Sequence, residues 1–162
     1  MISKVIELLN ERRWVYTIGK KPTYLTFPLN AQNGIYHCFA EDREELKTFL
    51  FLSFLGTSCP FQKRDEMCRM LTMINSNLLY GNFEMELDNG NIKFRTGIAY
   101  QDIEITKEAI ANMIAKNIDT IDISHPQLVK FMYGEMTMVD VYNSLYPAPS
   151  ETETESLPPI ST

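Results

Sequence analysis

Covalent or acid–base chemistry needs a nucleophile beside a base, and this chain offers few such pairings. Its three cysteines are Cys38, Cys59 and Cys68, and its two histidines are His37 and His125. His37 adjoins Cys38, but neighbouring strand residues point to opposite faces, so the two cannot act as a local nucleophile–base pair. His125 stands in Ser124-His125-Pro126-Gln127, where helix capping or a surface position is the plain reading. The cysteines form no CxxC pair, and a zinc site, which takes three or four ligands, would have to draw on distant residues. No metal and no cofactor is expected. Among the carboxylates, Glu84 and Glu86 are expected to face Arg95 and Lys93 across a hairpin, and Asp119 and Asp122 to end a helix. No GxSxG, HExxH, phosphate loop or strand-borne GxGxxG is present. The residue types predict a non-enzymatic protein with no catalytic residue.

Methionine is the unusual count, at nine. Flexible thioethers fill cores, and they also suit surfaces that accommodate varied partners. At helical spacing Met67 joins Leu71, Ile74 and Leu78 in one stripe, whereas Met70 and Met73 fall off it. Met132, Met136 and Met138 lie near the C-terminal end of the apolar sequence. Met70, Met73, Met132, Met136 and Met138 are therefore the candidates for a dimer or partner surface.

Charge and composition narrow the partners. Fifteen Lys plus Arg against 21 Asp plus Glu leaves a net charge of −6, which disfavours a sequence-independent grip on nucleic-acid phosphates. The longest apolar run, 49–55, is far too short to span a bilayer. At the N-terminus, Lys4, Glu7 and Asn10 interrupt the apolar positions that a signal peptide would keep continuous. An odd number of unpatterned cysteines points to a reducing compartment, so the cytoplasm is expected. No nucleic acid and no membrane is expected as a partner.

The elements that must position these groups follow from periodicity. Ile2, Val5, Ile6 and Leu9 share one face of a helix over about residues 2–12. Trp14-Val15-Tyr16-Thr17-Ile18 is either a short strand or an extended connector. Residues 23–29 and 35–40 read as strands, and 41–45 as a charged connection. Residues 46–55 are apolar on both faces, which predicts a central strand covered at least in part on both sides; helix is the competing reading. Ser58-Cys59-Pro60 opens a second helix. Asn89-Gly90 predicts a two-residue type I′ hairpin turn, placing Leu87 opposite Ile92, Met85 opposite Phe94, and Phe83 opposite Thr96. The same register sets Glu86 opposite Lys93 and Glu84 opposite Arg95. Three closing helices are predicted: one capped by Thr106, one starting at Ser124, and one starting at Thr137. The sum is an α+β domain over 1–146, with an antiparallel sheet of about five strands flanked by helices in the order α-β-β-β-α-β-β-α-α, the short last helix from Thr137 following these. Residues 147–162, with Glu151, Glu153 and Glu155 among Pro, Ser and Thr, carry too little apolar area to order and read as a disordered acidic tail.

The run Ile74-Asn75-Ser76-Asn77-Leu78-Leu79-Tyr80-Gly81-Asn82-Phe83, continued by Asn91-Ile92-Lys93-Phe94-Arg95-Thr96 and the helix after Thr106, resembles the YbjN family of bacterial proteins. The resemblance covers roughly 1–145 and is clearest over 60–135. It implies a fold similar to type III secretion chaperones, often dimeric, and a sensory-transduction regulatory role with no catalytic residues to carry over. The expectation is a chaperone- or adaptor-like protein-binding module acting as a homodimer on an unidentified protein partner. The alternative is a small-ligand binder or enzyme with a cleft between sheet and helices.

Overall fold

A computed structural model of the chain describes residues 1–19, 23–101 and 103–147. Most of the tail expected over 147–162, from 148 on, lies outside the described residues. The elements in chain order are α1 (Ile2–Glu11), β1 (Thr17–Ile18), β2 (Tyr24–Asn30), β3 (Ile35–Arg43), β4 (Thr48–Ser58), α2 (Arg64–Asn75), β5 (Asn82–Met85), β6 (Asn91–Ala99), α3 (Lys107–Met132) and α4 (Met138–Leu145). The strands form one antiparallel sheet in the order β1-β2-β3-β4-β6-β5. The architecture is the expected α+β, with six strands rather than about five because Thr17–Ile18 pairs with Leu25 and Thr26.

Strand alternation sorts the side chains into two layers. Leu25 and Phe27, Tyr36 and Cys38, Phe49 and Phe51, and Ile92 and Phe94 point inward and are buried. Val5 and Leu9 of α1, Met67 and Met70 of α2, and Ile110, Ile114, Ile121 and Phe131 of α3 meet them in one continuous core. Helices α1, α2 and α3 pack against β3, β5 and the β4–β6 pair respectively, and α4 leans on α2. At the centre of this layer sits a fully buried Asn117, whose amide donates to the carbonyl of Phe94 (3.2 Å) and to Thr96 Oγ1 (3.1 Å). Its Oδ1 accepts from Ser53 Oγ at 2.6 Å, so the inward polar groups of β4 and β6 are satisfied by one side chain of α3.

Three expectations change. Strand β3 runs on through Glu41, Asp42 and Arg43, and only Glu44–Leu46 turns. The inward Asp42 is 3% exposed and is held by the amino group of Met1 (2.7 Å) and the Tyr100 hydroxyl (2.8 Å), which offsets its desolvation.

The hairpin also closes differently. Gly90 has φ +77° but Asn89 does not lie in the left-handed region, so the turn is not type I′. Glu86 and Asn91 flank a four-residue loop, with Gly90 N–H donating to the Glu86 carbonyl at 2.7 Å. The pairing shifts by two residues, to Phe83–Phe94, Glu84–Lys93 and Met85–Ile92. An even shift keeps each face intact. The longer loop docks on the start of α2: Cys59 N–H donates to the Gly90 carbonyl (2.8 Å), and Arg64 donates to the carbonyls of Leu87 and Asp88 (2.7 and 2.9 Å).

Finally, the two helices expected around Ser124 are one. Pro126 lies inside α3, where it has no N–H for the carbonyl of Asp122, four residues back. Asn33, in the β2–β3 turn, supplies the missing donor: its Nδ2 reaches that carbonyl at 2.9 Å. The helix passes through its proline because another element repairs the ladder.

Candidate functional site

The outward residues of the strands make a second face. Tyr24, Thr26 and Pro28 of β2, His37, Phe39 and Glu41 of β3, and Leu50, Leu52 and Phe54 of β4 all project there by alternation. The register sets Phe39 between Thr26 and Leu52, and Phe54 between His37 and Lys93. The Tyr24 and Phe39 rings stack with centroids 5.1 Å apart. Among the described residues no helix packs on this face; the helix contacts run to the inner layer. A hollow of about 320 Å³ opens on it, with Tyr16, Thr26, Pro28, His37, Phe39 and Phe54 in its wall.

The charges of this face cancel. Arg43 pairs with Glu41 at 2.8 Å, Lys93 with Glu84 and Glu86 at 3.7 and 3.1 Å, and Arg95 with Glu84 at 3.0 Å. Glu86 is held below the usual carboxylate range, first by its hydrogen bond from Asn89 and then by that from Lys93. The partners expected for Glu84 and Glu86 are thus the ones found, now as diagonal as well as direct neighbours. Three acids and three bases leave the strand surface neutral on a chain of net charge −6.

The residues singled out for chemistry are dispersed. His37 points outward, while Cys38 points into the core, where burial pushes its thiol up to about 12. Cys59 is buried and Cys68 half-buried, and all three thiols are free. Among the described residues no group of three or more His, Cys, Asp or Glu could hold a metal ion. Met70 and Met132 are enclosed in the core, at 0% and 3% exposure, so neither presents a surface. Met70 belongs to the stripe Met67, Met70, Leu71 and Ile74, because α2 starts at Arg64 and turns that face inward. Met73, Met136 and Met138 are half-buried at the margin of the core.

One polar cluster was not expected. Asp122 is 8% exposed, and its Oδ1 accepts from the Tyr36 hydroxyl (2.8 Å) and from the Asn33 backbone N–H (2.8 Å). His125 Nδ1 lies 2.8 Å from the same hydroxyl. Since Tyr36 has one proton and gives it to Asp122, Nδ1 of His125 is the donor to Tyr36. Burial, then Asp122, raises the Tyr36 hydroxyl above its ordinary value; burial lowers His125, with Asp122 pulling partly back. The imidazole lies against residue 34, where a Cβ would come within 2.6 Å of the ring, so any residue larger than glycine would displace the imidazole. This cluster fastens the β2–β3 turn to α3 around Pro126. The sequence signals were a turn asparagine and a helix proline, far apart in the chain.

A six-stranded antiparallel sheet with helices, among the described residues, on one side and charges that pair with one another on the other side defines an α+β fold. The chain belongs to the YbjN family: the family model described as "Putative bacterial sensory transduction regulator" matches residues 2–128. The end of α3 and all of α4 lie beyond that stretch. No curated protein matches the chain. Among solved structures it is similar to "Crystal structure of YbjN, a putative transcription regulator from E. coli", with a TM-score of 0.56 and 13% identity over 76% of this chain and 87% of that one. At that identity the likeness shows the fold. Among the described residues no helix is long and apolar enough to cross a membrane.

Proposed function

We propose that the chain is a non-enzymatic regulatory module of the bacterial cytoplasm, chaperone- or adaptor-like, that acts as a homodimer through the outer face of its sheet. The observation that carries this reading is strand β4. Leu50, Leu52 and Phe54 make its outer side as apolar as its inner side, the pattern of a strand covered twice; Leu50 is already buried by its neighbours at 9% exposure, while Leu52 and Phe54 stay part-exposed with no helix over them among the described residues. A second copy supplies the cover over them. Two-fold pairing brings the same surface against itself, which suits a face whose charges already cancel. The family description and the resemblance to secretion chaperones support a regulatory, protein-binding role.

Sedimentation velocity on the full chain tests this. The wild type is expected to sediment as a dimer at micromolar concentration, and Leu52→Lys, which introduces an unpaired charge on the outer face, as a folded monomer with an unchanged circular dichroism spectrum. A control charge on α4, Val139→Lys, is expected to leave the dimer intact. A monomeric wild type, or a Leu52→Lys protein that remains dimeric, would overturn the proposal.

A further inference from the structure

On the helix side of the sheet, away from the face just described, a cavity of about 250 Å³ opens between the end of α1, the β2–β3 turn and α3. Leu8, Leu29, Ile114 and Ile118 make its apolar wall. Ala111 and Ala115, one helical turn apart on α3, leave the space that larger side chains would fill. Trp14, the one tryptophan of the chain, closes one side and packs on Phe27 with ring centroids 6.0 Å apart.

The mouth is built by an unusual helix end. Arg13 N–H donates to the Asn10 carbonyl and Trp14 N–H to the Leu9 carbonyl, the paired bonds of a Schellman cap. Such a cap takes glycine at the position occupied here by Arg13, at φ +56°. A side chain there costs roughly 1–2 kcal/mol, and strain of this kind gathers at ligand clamps. Its effect is to fold Trp14 back over the cavity with Arg12 on top: the guanidinium lies 5.3 Å from the indole centroid. Arg12 has no carboxylate partner among the described residues. Asp119, equally unpaired, stands at the α3 side of the same mouth.

We infer that this cavity is a binding site for a small apolar monocarboxylate, an aryl or branched alkyl acid of about a dozen heavy atoms. The apolar body fills the slot over Ala111 and Ala115 against the indole, and the carboxylate pairs with Arg12, whose planar fork matches it. Asp119 sets the charge limit, because a second anionic group would meet it. The volume lies below the range of drug-sized pockets, which restricts the ligand to small acids. This site is separate from the outer sheet face and stands or falls independently of it.

Trp14 reports occupancy directly. Titrating the full chain with 3-phenylpropionate, followed by tryptophan emission and by calorimetry, is expected to give saturable one-to-one binding. Phenethylamine, of the same shape and opposite charge, and phenylsuccinate, with a second carboxylate, are expected to bind at least tenfold more weakly. Arg12→Gln, a change at an exposed position, should weaken 3-phenylpropionate at least tenfold, and Ala115→Leu should abolish binding by filling the slot. No calorimetric binding of 3-phenylpropionate at millimolar concentration would overturn the inference. So would equal affinity for phenethylamine, or an unchanged affinity in Arg12→Gln. Tighter binding of the peptide Gly-Gly-Phe than of 3-phenylpropionate would assign the site to a chain terminus instead.

Discussion

Asn117 and Asp122 sit five residues apart on α3 and are both buried, and each ties the helix to the sheet by satisfying groups that would otherwise be stranded. For Asn117 the ties run to Ser53, Thr96 and the Phe94 carbonyl. Truncation leaves Ser53 without its acceptor as well as a void, so Asn117→Ala is expected to cost about 2–4 kcal/mol. Urea denaturation at constant m-value checks this; a loss below about 1 kcal/mol would mean that water replaces the side chain. The Asp122 cluster carries a pH dependence through His125. The imidazole is held below its ordinary 6.5 by burial, so below about pH 6.5 the unfolded chain binds the proton first. The stability that neutral His125 contributes is complete above pH 6.5 and is lost as pH falls from there toward the lower folded value. His125→Gln is expected to flatten the decline in melting temperature between about pH 7 and 5. An identical slope in the variant would show that the imidazole is solvated in the fold.

At the scale of elements, what could be read from the chain depended on whether the determining contacts were local. The central strand was legible because the apolar residues of 46–55 alternate with no polar face, and α4 because Thr137 and Asp140 form a complete capping box within four residues. The hairpin faces were legible too, since alternation survives an even shift. Its register was not, because the longer loop is held by Cys59 and Arg64, which lie before it across the whole of α2. Nor was the continuity of α3, which depends on Asn33 reaching the Asp122 carbonyl from the far end of the chain. The outer sheet face could be seen as an apolar pattern but not as one that no helix covers among the described residues, and the proposed acid cavity depends on a helix cap with arginine where glycine is usual. The hairpin loop offers a direct check. A Cβ at Gly90 would stand 2.3 Å from the Cys59 carbonyl oxygen, in a backbone conformation that L-residues avoid. Gly90→Ala is therefore expected to destabilise by about 2 kcal/mol or more, read by thermal or urea unfolding. A neutral effect would mean that the loop does not dock on the start of α2.

For the whole molecule, the layers decide what the protein can do. Helices cover the inner side of the sheet, the ionic groups of the outer side neutralise one another, and the cavity under Trp14 lies on the helix side, clear of the outer face proposed for dimerisation. Family membership adds a regulatory description; Glu84 and Glu86 take part in strand pairing, and His125 and Asp122 fasten α3. The most direct test is an isotope-filtered nuclear Overhauser experiment on a mixture of labelled and unlabelled full-length chains. A sheet face covered by a second copy predicts intermolecular cross-peaks from the Leu52 methyls to the Phe39 and Phe54 rings. Intermolecular cross-peaks confined to α3 or α4, or none at a concentration where the protein is dimeric, would contradict it.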